Sequence, residues 1–277
     1  MHSVALRLTP HLSLLSETAP LIRKSMLQIQ GQSDKRGGDS SKILMEWIRE
    51  AQKAAEAPAA PAEADSDDDA EEAPPATSEL PAAATATATS AKPLTPKMRL
   101  LEVGCLSARN AISKSSIFKV TRIDLNAQEA AIESQDFMER PLPTSEDDKF
   151  DVISLSLVLN FVPEPAGRGE MLRRTTKFLR ERTAVDPTNP LSKLLPSVFL
   201  VLPAPCLANS RHLNEKRLAD IMRCIGYTLV KRKLSTKLIY GLWRLENTGI
   251  PYPSGILAKK AEVNPGVTRN NFAILLK

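Results

Sequence analysis

Four short apolar runs, Lys97–Val103 (KMRLLEV), Lys119–Leu125 (KVTRIDL), Phe150–Leu157 (FDVISLSL) and Ser197–Leu202 (SVFLVL), most constrain what this chain can fold into. Each is bounded by turn residues and is apolar without strict alternation, the pattern of a strand covered on both faces in a parallel sheet. Between the third and fourth, Met171, Thr175, Phe178 and Leu179 form one helical stripe and Arg173, Arg174, Lys177 and Arg180 a basic one. After the fourth, Leu218, Ile221, Met222 and Ile225 define a helix that Gly226 can end as a left-handed cap. Tyr227–Ser235 and Lys237–Leu245 then read as an antiparallel hairpin. The alternation predicts an open α/β sheet with an antiparallel edge.

Residues 57–91 break this pattern with 14 Ala, five Pro, eight acids, no Lys or Arg and no aromatic residue. So little apolar surface does not offset the entropy of ordering, which predicts a disordered acidic insertion. The expected division is an N-terminal helical segment over 1–56 docking on the body, the insertion over 57–96 and the main domain over 97–277. In the first segment, Gly37-Gly38-Asp39-Ser40-Ser41 precedes Ile43, Leu44, Trp47 and Ile48 at helical spacing. A helix this short is marginal alone, so its apolar face is expected on the body. Its N-terminal amides are either capped by Asp39 or Ser40 or hold an anion beside Arg36.

The formal charge is +5, but outside residues 57–91 the chain holds 37 basic residues against only 24 acids. That excess favours a polyanionic partner, nucleic acid before membrane, and equally suits a solubilising surface. Cys105, Cys206 and Cys224 stand far apart with only three His, so no zinc site is expected and three free thiols are. No apolar stretch approaches the roughly 20 residues of a membrane helix. The N-terminus lacks a secretory pattern, which suggests cytosol or nucleus.

In sheets of this kind ligands bind outside the carboxyl ends of the strands. The first strand ends Leu101-Glu102-Val103-Gly104, where Gly104 permits a close turn, and the second ends at Asp124, whose carboxylate suits both hydroxyls of a ribose. The turn Gly-Cys-Leu-Ser-Ala-Arg lacks the further glycines that a pyrophosphate needs. S-adenosylmethionine, an adenosine without phosphate, therefore fits better than a dinucleotide. In the next segment Asp136 can accept the cofactor's adenine amine while Phe137 packs either on that ring or in the core. Asn160, in LVLNFVP, can hydrogen-bond a base edge or cap the turn that follows.

LEVG at 101–104, RIDLN at 122–126, QDFMERPLP at 135–143, FDVISLSLVLNFVPEPAGRGEML at 150–172 and VLPAPCLANSRHLNEKRL at 201–218 resemble the fungal 25S ribosomal RNA adenine-N1 methyltransferases. GQSDKRGGDSSKILMEWI at 31–48 and NPGVTRNNFAILLK at 264–277 are similar to the same family. The resemblance implies a class I, Rossmann-like, seven-stranded methyltransferase fold that uses S-adenosylmethionine on one adenine of large-subunit rRNA in the nucleolus. It implies rRNA or a pre-ribosomal particle as partner, with no metal and no membrane, and a monomer is expected. By position, Gly104 and Asp124 match the family's cofactor motif, and Leu125, Asp136, Phe137, Ser154 and Arg36 match neighbouring pocket positions. It supplies no catalytic residue.

Two departures stand out. The stretch from Arg23 to Ile29 is shorter than the family pattern and lacks a YQ-type segment. LVLNFVP differs from the Asn/Asp-Pro-Pro-aromatic motif of many amino-directed methyltransferases. That absence suits N1 of adenine, whose lone pair attacks without a general base once the base is unpaired and aligned. RNA holding is expected from the basic stretch 211–244, with Lys231, Arg232 and Lys233 as a phosphate ridge; solvated charges explain the same residues. Tyr240 and Trp243 either stack on bases or pack in the core. Metazoan relatives regarded as S-adenosylmethionine sensors leave a second reading, a silent sensor that regulates a protein partner.

Overall fold

The computed structural model describes residues 38–56, 97–182, 189–246 and 255–277; Arg36 and the acidic insertion lie outside them. The elements are α1 (Ser41–Glu56), β1 (Met98–Val103), β2 (Phe118–Asp124), β3 (Glu133–Ser134), β4 (Val152–Ser156), α2 (Pro165–Phe178), β5 (Ser197–Pro203), a single turn α3 (Pro205–Ala208), α4 (Glu215–Cys224), β6 (Tyr227–Leu234) and β7 (Leu238–Leu245). They build one seven-stranded sheet in the order β3-β2-β1-β4-β5-β7-β6. Strands β1 to β5 run parallel, and β7 enters antiparallel between β5 and β6. This is the expected α/β class I fold with its antiparallel edge.

The four apolar runs all become strands, with one trimmed. Leu157 takes a φ of +57°, a left-handed conformation that no strand continues through, so β4 stops at Ser156. Phe150 lies ahead of β4 and makes an isolated bridge to Leu179. The segment 135–143 is loop, because β3 is only two residues long. Asn214 caps α4 by accepting from the Arg217 amide, and Gly226, at φ +93°, follows its end as expected.

Each face of the sheet has its own core. Alternation along β1 sends Leu101 and Val103 to one side, where α2 and α4 bury Met171, Leu172, Phe178, Leu218, Ile221 and Met222 against Ile153, Leu155 and Leu200. It sends Leu100 to the other, where α1 buries Leu44, Met45, Trp47 and Ile48 against Val152, Phe199, Tyr240 and Leu242. Four such side chains contribute roughly 1.5–3 kcal/mol each, which is what holds a marginal helix in place. Trp47 meets the Phe199 ring edge-on at 5.9 Å, and Tyr240 stacks with Phe199 at 6.4 Å.

The cap of α1 is also its anchor. Asp39 Oδ1 accepts from the Ser41 amide at 3.0 Å, while Oδ2 accepts from the Ala111 amide at 2.7 Å on the turn after β1. Ser40 and Ser156 join hydroxyls at 2.7 Å. Of the two uses foreseen for these amides, the structure shows the cap.

The hairpin sets each of the three expected ridge residues beside a carboxylate. Lys231 and Lys233 point to α1, where they pair with Glu50 (3.0 Å) and Glu46 (3.1 Å), and Arg232 turns the opposite way onto Glu215 in a bidentate pair. Three charges that looked like a phosphate ridge are thus neutralised by carboxylates. Tyr240 and Trp243 are buried in the two cores rather than presented for stacking.

Candidate functional site

β1, β2 and β4 end along one edge of the sheet and open there into a cleft. Its walls are Val103 and Gly104 from β1, Asp124, Leu125 and Asn126 from β2, Gln135 to Met138 after β3, and Val158, Val162, Pro163 and Met171 beyond β4. The cavity holds about 200 Å³ and opens directly to solvent at its mouth.

Gly104 adopts φ +72°, a conformation glycine reaches without strain, and its amide and that of Cys105 both donate to the Ile123 carbonyl (2.8 and 3.1 Å). The chain therefore turns flat against the end of β2 and leaves the space above it open. Asp124 stands at the tip of β2 with Oδ1 held by the Asn126 amide at 2.7 Å. Asp136 is fixed in the same way by the Met138 amide at 2.8 Å. Both carboxylates are thereby oriented by their own loops.

Arg174 of α2 braces the third wall. Its Nε donates to the Phe137 carbonyl at 2.8 Å, a second nitrogen donates to the Arg140 carbonyl, and its guanidinium lies over the Phe137 and Phe178 rings. Phe137 is 2% exposed and tilts against Phe178 at 5.3 Å, so it belongs to the core while its loop lines the cleft.

Arg168 braces the fourth wall. It donates to the carbonyls of Val162 (2.8 Å), Pro163 (3.1 Å) and Ala273 (2.7 Å) and lies 4.1 Å over the Phe272 ring. One cation thus joins the turn after β4 to the last residues of the chain. Gly169 beside it is obligatory, since a Cβ there would stand 1.9 Å from the Leu275 carbonyl oxygen.

Glu102, between two cleft residues in sequence, faces the opposite side of the sheet. Burial pushes its carboxyl up to about 7, even though Cys105 Sγ and Asn110 Nδ2 donate to it at 3.3 and 2.7 Å. Burial and this neighbour together hold the Cys105 thiol protonated, so it is no nucleophile. Cys105, Cys206 and Cys224 are all free, as expected.

Several foreseen residues therefore meet: Gly104, Asp124, Leu125, Asp136 and Phe137 all line the cleft. Ser154 does not. It is 2% exposed in the middle of β4, paired with Glu102 and on the α1 side of the sheet. Asn160 sits in the short helical turn Leu159–Phe161, between wall residues Val158 and Val162, with a buried Oδ1 that has no hydrogen-bond partner. Sequence reasoning missed Val158, Val162 and Pro163, although the rule that ligands sit beyond strand ends covers that whole turn. Met171 went unnoticed because its helical stripe read as core alone.

The donor set fits an adenosine without phosphates. Residues 104–117 form turns, so no helix N-terminus follows β1 to receive a pyrophosphate. What remains is apolar walls with two oriented carboxylates. Among the described residues no His, Cys, Asp and Glu cluster suits a metal, and no helix is long and apolar enough to cross a membrane.

Comparison with known proteins places these features in a family. The chain is 36% identical over 247 residues to the 25S rRNA (adenine(2142)-N(1))-methyltransferase of Saccharomyces cerevisiae, covering 89% of this chain and 57% of that protein. It thus spans little more than half the length of that relative. It is 36% identical over 244 residues to the 25S rRNA adenine-N(1) methyltransferase of Schizosaccharomyces pombe, covering 88% of this chain and 72% of that one. Among solved structures, the [4+2]-cyclase SpnF gives a TM-score of 0.40 at 12% identity, covering 55% of this chain and 77% of that chain, and is too distant to carry any argument. None of these matches supports the sensor alternative. The model of the family described as Bmt2, 25S rRNA (adenine(2142)-N(1))-methyltransferase, matches residues 26–274, and the chain belongs to that family.

Proposed function

We propose that this protein methylates N1 of an adenine in large-subunit rRNA, with S-adenosylmethionine bound in the cleft. The observation that carries the reading is the pairing of Gly104 and Asp124 at the ends of β1 and β2, in a cleft without a phosphate cradle. In this reading Asp124 accepts both ribose hydroxyls, Gly104 lets the backbone pass close beneath, and Asp136 accepts the cofactor's adenine amine beside Leu125. Bound there, S-adenosylmethionine supplies an electrophilic sulfonium methyl.

The N1 lone pair of the target adenine forms the new N–C bond as the methyl–sulfur bond breaks, and the positive charge passes to the base. No proton leaves the nucleophile, so the protein's task is to unpair the base and align it. Asn160 suits that task. An unpartnered buried oxygen costs roughly 1–3 kcal/mol, and the N6 amine beside N1 offers the donor that satisfies it. In this reading the protein works in the nucleolus on rRNA or a pre-ribosomal particle and acts as a monomer.

Nucleoside mass analysis of large-subunit rRNA from cells lacking the protein tests this. Loss of one 1-methyladenosine, restored by the parent and not by Asp124→Ala, is the expected result. Unchanged rRNA would sink the proposal. Removing a charge-assisted pair of bonds should weaken S-adenosylmethionine binding about 10- to 100-fold.

A further inference from the structure

A second concavity lies on the same edge of the sheet, at the carboxyl end of β5. There the Ala204 amide donates to the Lys237 carbonyl at 2.8 Å, so the turn of the β6–β7 hairpin borders it. Its floor is apolar: Ala204, Leu207, Leu234 and Ile239. Leu234 is 55% exposed. Asn214, Lys216, Asn264 and Arg269 stand on the rim. Because β5 is two strands from β1 and β7 three, the groove lies roughly 10–15 Å along the edge from the cofactor cleft.

The rim is rigid, and of its two cations Lys216 pairs with Asp220 at 3.2 Å while Arg269 meets no carboxylate among the described residues. Arg269 donates to the Ala208 carbonyl (3.1 Å), Asn264 to the Ser210 carbonyl (2.9 Å) and Asn270 to the Pro205 carbonyl (2.8 Å), which pins the 264–270 loop to α3. Arg211 joins the same loop through the Arg269 carbonyl at 3.2 Å. Among the described residues Arg211, Arg269 and the exposed Lys259 and Lys260 form no ion pair, whereas Lys231, Arg232 and Lys233 are all paired. Glu215, the acid at the groove, is already engaged by Arg232. Arg269 is thus the rim cation without a carboxylate among the described residues, and Lys259 and Lys260 lie on the segment that leads into its loop.

We propose that this groove seats the RNA strand flanking the target adenine, one base against Leu207 and Leu234 and the adjoining phosphates toward Arg269, Lys259 and Lys260. The proposal rests on the methyltransferase reading and gives it a substrate surface. N1 lies on the pairing edge of adenine, so the enzyme must hold neighbouring nucleotides out of their helix. An apolar floor beneath a cationic rim offers an unstacked base and its phosphates what each requires.

The test uses the full chain, S-adenosylmethionine and a 25S rRNA fragment containing the target adenine. Leu234→Asp and the double variant Lys259→Glu/Lys260→Glu change exposed side chains, which keeps the fold out of question. Each should weaken RNA binding about tenfold or more and slow methylation, with S-adenosylmethionine affinity unchanged. The lysine variant should also flatten the slope of log affinity against log salt by about 1.4, for two lost single-strand phosphate contacts. Parental affinity and slope in both variants would overturn the proposal. So would normal action on the naked fragment with loss only on pre-ribosomal particles, which would assign the groove to a protein. Failure of the unsubstituted protein to methylate either the fragment or pre-ribosomal particles would bring down the methyltransferase reading, and this proposal with it.

Discussion

Glu102 is an acid that the fold keeps where an acid is costly. Its folded value near 7 lies above the ordinary 4.5, so between those values the unfolded chain gives up its proton while the native protein retains it. Stability therefore falls as pH rises from about 4.5 to 7 and is level above, a loss of about 3 kcal/mol at most. Glu102→Gln should remove this slope and raise stability at pH 8, measured by urea unfolding across that range. A slope unchanged in the variant would show that other groups carry it. Gly169 is the other residue whose identity is forced. In Gly169→Ala the new methyl would collide with the Leu275 backbone, so hydrogen exchange over 272–276 should quicken and cofactor affinity should drop through Arg168 and the Val162–Pro163 wall.

At the scale of elements, α1 forms much of one layer of the molecule. Trp47→Ala should cost about 3–5 kcal/mol in chemical denaturation, because it empties the space against Phe199. Lys231→Ala or Lys233→Ala should each cost less than about 1 kcal/mol and less again in high salt, since those pairs are half-exposed. A reversed ranking would mean that charge, not packing, holds the helix. The strands and helices were legible because burial writes its period directly into sequence. The partners of Lys231 and Lys233 were not, because Glu50 and Glu46 lie 181 and 187 residues away and nothing local marks the pairing. Ser154 was misplaced toward the cleft for a related reason: a polar residue in a strand does not declare which face it takes. Its register opposite Glu102 decides that, and only pairing reveals register.

For the whole molecule, the chain's topology sets the division of labour along one edge of the sheet. The parallel half, β1 to β4, carries the cleft, and the antiparallel corner of β5, β7 and β6 carries the groove. Gly104 and Asp124 were legible as site residues because strand-end chemistry is local. The walls formed by Val158, Val162 and Met171 were only partly so, since apolar residues serve core and cleft alike. The basic surface was legible as a total and not as a place, because charge counts ignore which cations find carboxylates.

Arg168 also sets a timetable. It reaches Ala273 across 105 residues of sequence, so during synthesis the turn beyond β4 waits until that much more chain has emerged. The sheet and helices can condense earlier, since domains tend to gather from the N-terminal side as they emerge. One cleft wall cannot. A nascent chain stalled short of residue 273 would therefore already hold the sheet and helices while lacking the full Arg168 grip on that wall, so the cleft takes its shape later than the sheet that carries it.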